Sequence, residues 1–106
     1  MMTGIRVAAI FLQAASIAAP VFAQSPGADT YKAKCASCHG ADGLAANALG
    51  KSMKVLSFKD PAMLKASDAR FIFTTRNGEG KMPGYLDKLT DAQIKDVVAY
   101  IHTLQK

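Results

Sequence analysis

The stretch Cys35-Ala36-Ser37-Cys38-His39 holds both cysteines of the chain and one of its two histidines within five residues. On a helical turn, residues i, i+3 and i+4 share a face, so the two thiols and the imidazole point the same way. Thiols at that spacing can reach two neighbouring vinyl groups on one porphyrin edge while the imidazole turns under the iron. Cys-x-x-Cys-His is the pattern of covalent haem attachment. Thioether bonds do not dissociate, so a short chain can keep such a cofactor.

Three other uses of the pair compete with this one, each short of a part. A structural zinc site needs four ligands, and only Cys35, Cys38, His39 and the distant His102 are on offer. A thioredoxin-like redox pair would follow a strand, yet Asp29 to Lys34 reads as helix. A plain disulfide across so short a loop would stabilise little.

Upstream of the motif, Met1 to Arg6 carries one positive charge and Val7 to Ala19 is an apolar run of 13 residues ending in Val21-Phe22-Ala23. These are the three regions of a secretory signal peptide, and the run is shorter than the roughly 20 residues of a membrane span. Cleavage is expected after Ala23, with residues 24–106 as one domain; the alternative is a retained N-terminal anchor. Removing residues 1–23 leaves 83 residues and deletes only Arg6, so the balance becomes 12 basic to 8 acidic side chains. A periplasmic or otherwise exported, mildly basic monomer with no membrane span after cleavage is expected. A domain this small is often helped by a cofactor, and two cysteines permit at most one bridge.

Downstream, a haem held by one histidine has a further axial position to fill, and His102, Met53, Met63 and Met82 are the candidates. Met82 lies in Asn77-Gly78-Glu79-Gly80-Lys81-Met82-Pro83-Gly84-Tyr85. The glycines let backbone approach a flat ligand, and Pro83 holds Met82 extended. Met53 sits among Leu49, Val55 and Leu56, and Met63 follows the helix-opening pair Asp60-Pro61, so both read as core fillers. His102 reads as a surface or partly packed residue near the chain end. The glycine loop fits neither nucleotide fingerprint, and no strand precedes it.

The remaining pattern is helical. Thr90-Asp91-Ala92-Gln93 is a capping box with Leu89 and Ile94 as its hydrophobic staple, and Ile94, Val97, Val98, Ile101 and Leu104 follow at helical spacing, predicting a helix over about 91 to 105. A helix over about Gly27 to Ala36 places Gly27, Tyr31 and Cys35 on one face, and Gly27 leaves room for another helix to cross against Tyr100 or Ile101. Between them the pattern predicts a loop from Gly40 to Lys51, a short helix from Pro61, and a helix opening at Ser67 or Asp68 and stopped by Asn77-Gly78. No run alternates with period two, so no sheet is expected.

With Cys35, Cys38, His39, Met82-Pro83 and two flanking helices in place, the chain from Gln24 onward resembles a class I monohaem c-type cytochrome along nearly its whole length. The resemblance implies an all-α cytochrome c fold, three to five short helices wrapped around one covalent haem c. It makes His39 the proximal and Met82 the distal iron ligand, and it carries the helix-crossing residues of the family onto Gly27, Tyr31 and Tyr100. Two features depart from the family. The loop after the motif lacks the proline whose neighbouring carbonyl accepts from the proximal imidazole, so a carbonyl within Ala45 to Ala48 is expected to take the Nδ1 proton of His39. The chain also lacks the tryptophan that many longer relatives place near a haem propionate.

An iron with both axial positions filled admits no substrate, which implies an electron carrier and not an enzyme. A thioether ligand and burial both favour Fe(II), so a positive midpoint potential is expected. Lys32, Lys34, Lys51, Lys54, Lys81 and Lys88 flank the segments around the haem edge and would steer the carrier onto acidic patches of a reductase donor and an oxidase or reductase acceptor. The competing view is a merely soluble lysine coat. Nucleic acid does not suit an exported haem protein. The alternative function is a haem with a labile Met82 acting as a gas sensor or peroxidase-like enzyme, for which His102 is the remaining histidine.

Overall fold

The computed structural model describes Gly4 and residues 25–106, so the expected signal segment 1–23 lies, apart from Gly4, outside the described residues. Six helices run in chain order: α1 Pro26–Lys34, α2 Ala36–His39, α3 Ala48–Ser52, α4 Pro61–Lys65, α5 Asp68–Asn77 and α6 Asp91–Leu104. Among the described residues there is no strand, only one isolated antiparallel bridge between Glu79 and Met82. No helix there is long and apolar enough to cross a membrane.

Each helix begins where a side chain can satisfy free backbone N–H groups. Ser25, Asn47, Asp60 and Ser67 accept from the first turns of α1, α3, α4 and α5, and Pro26 and Pro61 occupy positions whose N–H would be unpaired anyway. Thr90 and Gln93 cap α6 reciprocally, as the capping box predicts. The helix count exceeds the expected three to five for two local reasons. The attachment helix breaks at Cys35, whose φ of −117° separates α1 from α2. The stretch expected as a loop from Gly40 to Lys51 contains α3, nucleated by Asn47 Oδ1 accepting from Gly50 N at 2.9 Å. A single turn of five residues is too short to show a helical period.

The frame is the crossing of α1 and α6. A Cβ on Gly27 would collide with the carbonyl oxygen of Asp96 and lie 2.7 Å from its carbonyl carbon, so only glycine permits this approach. One turn on, Tyr31 is 2% exposed and its ring lies 5.2 Å from that of Tyr100. Tyr31, Phe58, Phe71, Val97, Val98 and Ile101 form the core cluster, to which Ile101 and Val97 bring the apolar stripe of α6. Burying each large apolar side chain contributes about 1.5–3 kcal/mol. The Tyr31 hydroxyl donates to Gly40 O at 2.6 Å, pinning the end of the attachment motif to α1. Burial pushes its pKa well above the usual phenol range.

Candidate functional site

His39 ends α2, and the chain turns sharply after it. Gly40 adopts φ +80°, Gly43 φ +76° and Ala45 φ +52°, and this curl returns Ala45 N to donate to His39 O at 2.8 Å. The imidazole is half-buried, and that desolvation pushes its pKa down, favouring the neutral ring. Its ring stacks on Phe58 with centroids 4.7 Å apart and planes 15° apart. The expected bond from Nδ1 to a carbonyl within Ala45 to Ala48 is not formed. Nδ1 is sealed from solvent without a partner among the described residues. Of the expected acceptors, the Ala45 carbonyl abuts Gly50 and the Asn47 carbonyl accepts from Lys51 N.

Cys35 and Cys38 are both free and half-buried. Burial, with Cys38 close by, pushes the Cys35 thiol up to about 11, so it stays protonated at neutral pH. Cys38 Sγ lies 4.0 Å from Met53 Sδ.

Met82 is carried in by a loop folded back on α5 and α1. Gly78, at φ +77°, lets the turn close: a Cβ there would sit 2.6 Å from Met82 O and 2.7 Å from Gly84 N. Glu79 N donates to Met82 O at 3.1 Å and Met82 N to Glu79 O at 2.9 Å. Arg70 on α5 holds Glu79 in an exposed ion pair at 2.8 Å. Tyr85 finishes the loop, its N bonded to Thr75 O and its hydroxyl to Lys34 O at 2.9 Å. Burial, then the neighbouring thiols, push the Tyr85 phenol up.

These elements enclose a cleft with two lobes of about 300 and 280 Å³. Cys35, His39, Met63 and Met82 line both lobes, and Cys38 lines the outer one with Met53 and Leu56. All four predicted site residues therefore meet on one cleft. Met53 and Met63, read from sequence as core fillers, also face it, although Met63 packs against the core cluster as well. Core and cleft wall are both apolar, so hydrophobic patterning does not separate them.

His102 lies elsewhere, with its nitrogens 2.5 Å from Asp68 Oδ1 and 2.7 Å from Gln105 Oε1. Of the six lysines picked out from sequence, Lys34, Lys54 and Lys81 border the outer lobe, while Lys32 lines a separate hollow. The sequence reading missed Phe58, Arg70 and Glu79, which lie in irregular segments or on an exposed helix face and carry no periodic signal.

The donor set fits an iron porphyrin: a largely apolar cleft, one neutral imidazole, one thioether, and two thiols at one edge. Among the described residues no three His, Cys, Asp or Glu side chains are grouped to hold a metal ion.

Comparisons with known proteins agree with the geometry. The family model for Cytochrome C oxidase, cbb3-type, subunit III matches residues 22–101. Cytochrome c6 of Synechococcus elongatus is 33% identical over 75 residues, covering 71% of this chain and 83% of that protein. Cytochrome c6 of Limnospira maxima is 38% identical over 82 residues, covering 71% and 85%. The Cbb3-type cytochrome c oxidase subunit FixP of Azorhizobium caulinodans is 34% identical over 84 residues, which span 77% of this chain but 27% of FixP. The solved structure of KustC0563 c-type cytochrome superposes with a TM-score of 0.69 at 30% identity, covering 76% of this chain and 98% of the other. Fold, cleft and relatives together place this chain in the class I monohaem c-type cytochromes, all-α electron carriers rather than enzymes, with one covalently attached haem c.

Proposed function

We propose that this chain is an exported one-electron carrier in which Cys35 and Cys38 would tether the haem and His39 and Met82 would ligate its iron. The observation that carries this reading is the convergence of those four side chains on one largely apolar cleft. When bound, the haem supplies a reversible Fe(II)/Fe(III) couple. The protein's own contribution is rigidity and electrostatics. The closed turn at Gly78 and the Glu79–Met82 bonds hold the backbone that carries the thioether, which limits reorganisation when an electron moves. A weak thioether donor in an apolar cleft favours Fe(II), so the midpoint potential is positive.

Gas binding needs only a labile Met82, whereas the peroxidase-like alternative needs an acid–base residue in the cleft. His102, the histidine available for that role, is bonded to Asp68 and Gln105 instead. Residues 1–23 act as a cleaved export signal, which the mass and N-terminal sequence of the mature protein check. The partners are a reductase donor and an oxidase or reductase acceptor with acidic patches. Lys34, Lys54 and Lys81 border the outer lobe beside Leu56, which is 52% exposed, so cationic steering and an apolar contact coincide there. The protein acts as a monomer.

The deciding experiment is Met82→Ala in matured holoprotein. The expected result is a lower midpoint potential and carbon monoxide binding to the reduced protein. An unchanged potential with no carbon monoxide adduct refutes Met82 as the ligand.

A further inference from the structure

A neutral imidazole that binds iron through one nitrogen is ordinarily oriented by a hydrogen bond from the other. In this chain Nδ1 of His39 is buried with no acceptor among the described residues. With no hydrogen bond at that nitrogen, the orientation of the ring falls to a packing contact. That contact is Phe58, 3% exposed and stacked on the imidazole at 4.7 Å. Phe58 is itself held at both backbone groups. Its N donates to Gly43 O at 2.9 Å, and its carbonyl accepts from Gln105 Nε2 at 3.0 Å. The Phe58 ring is wedged as well, tilted against Tyr31 at 6.4 Å and Phe71 at 6.3 Å. Gly43 comes so close that a Cβ there would lie 2.8 Å from Phe58 Cδ2.

We propose that Phe58 is the positioning residue for His39, setting the plane of the imidazole by stacking where a carbonyl acceptor would otherwise do so. The inference rests on His39 being an iron ligand, as proposed above. With the planes nearly parallel, rotation of the imidazole about its Cβ–Cγ bond drives a ring edge into the face of Phe58, so the stack is a rotational stop. It differs from a carbonyl in one chemical respect. A parallel aromatic face does not draw on the Nδ1 proton, so the imidazole gives less charge to its iron than an acceptor-bonded one, which favours the reduced state.

The test uses ¹⁵N-histidine-labelled holoprotein. In the oxidised wild type, the His39 ring resonances are expected to be strongly paramagnetically shifted; ordinary diamagnetic positions would refute ligation by His39, not the stack. In the reduced wild type, the Nδ1–H is expected at the shift of an unbonded imidazole; the downfield, exchange-protected shift of a carbonyl-bonded proton would overturn the proposal without any variant. In Phe58→Leu, the haem-methyl shifts and ferric EPR g-values, which follow the imidazole plane, are expected to change. Phe58→Tyr, which keeps the ring, restores the wild-type pattern. Ile94→Ala, which weakens the core away from the cleft, leaves it alone. A wild-type methyl pattern in Phe58→Leu would overturn the proposal, as would an equal disturbance in Ile94→Ala.

Discussion

Gly27→Ala sets two effects against each other, and the structure decides between them. By helix propensity the change is favourable, because alanine in a helix is better than glycine by about 0.5–1 kcal/mol. By packing it is unfavourable: the new Cβ would overlap Asp96 O, lie 2.7 Å from the Asp96 carbonyl carbon, and lie 3.2 Å from Tyr100 Cβ. The obstructing atoms are backbone of α6, which cannot swing aside as a side-chain tip can. Relief therefore requires α1 and α6 to part along the most extensive helix contact of the fold. Overpacking of this kind costs about 1–3 kcal/mol, and an immovable neighbour places it at the upper end. The net loss is about 2 kcal/mol. For a domain of this size each kcal/mol moves Tm by roughly 4–8 °C, so a fall of about 8–16 °C is expected. Thermal melts of oxidised holoprotein, followed by far-ultraviolet circular dichroism, measure it. A Tm equal to or above wild type would mean that the crossing is looser than the structure shows.

Two further changes probe other links. Thr90→Ala removes half of a reciprocal cap, since Gln93 N then loses its acceptor at 3.1 Å; a loss of about 0.5–2 kcal/mol in denaturant unfolding is expected. His102 has oxygen acceptors at both nitrogens, because Gln105 Nε2 donates to Phe58 O and so turns Oε1 toward the ring. Only the imidazolium donates to both. The Gln105 hydrogen bond, followed by the bond to and charge of Asp68, raises the His102 pKa against the opposing effect of burial. A raised folded pKa gives stability that is complete below the unfolded value of about 6.5 and is lost as pH rises through the folded value. Unfolding midpoints are therefore expected to decline modestly above pH 6.5, and Asp68→Asn to flatten that decline.

What could be read from sequence was whatever is local and periodic. The stripe of α6, its capping box, Gly27 facing a crossing helix, and the attachment motif each announce themselves within a few residues. Met82 was singled out because a methionine in a glycine loop has no packing reason to be there, and the structure puts it on the cleft wall. That His39 Nδ1 meets no carbonyl of the following loop was not legible, because the path of that loop includes Ala45 at φ +52°, a left-handed conformation that alanine does not advertise. Phe58 was missed for a similar reason. Its place against His39 comes from bonds to Gly43 and to Gln105, 47 positions away, while its own segment has no period.

The apolar cleft also bears on how the chain folds. Among the described residues the fully buried apolar side chains are few, and Phe58, Phe71, Val97 and Ile101 belong at once to the core cluster and to the cleft wall. The cofactor is thus a packing partner as much as a redox centre. Cavity cost in protein interiors runs at about 24 cal/mol per Å³, which puts the inner lobe of about 300 Å³ at about 7 kcal/mol if it stayed dry and rigid. Water entering from the open side lowers that figure, but a small domain is stable by only about 5–15 kcal/mol in total. Without haem, α1 and α6 keep their direct crossing at Gly27 and α5 keeps its Phe71 contact with α6, whereas α4 and the Met82 loop lose the surface they pack around. The Cys35→Ala/Cys38→Ala variant, produced without haem, is therefore expected to keep part of its helical circular dichroism, lose near-ultraviolet signal and bind a hydrophobic dye, with no cooperative melt. A cooperative transition near the holoprotein Tm would show that the polypeptide closes its own core, and that the cleft is a socket rather than a missing piece of the interior.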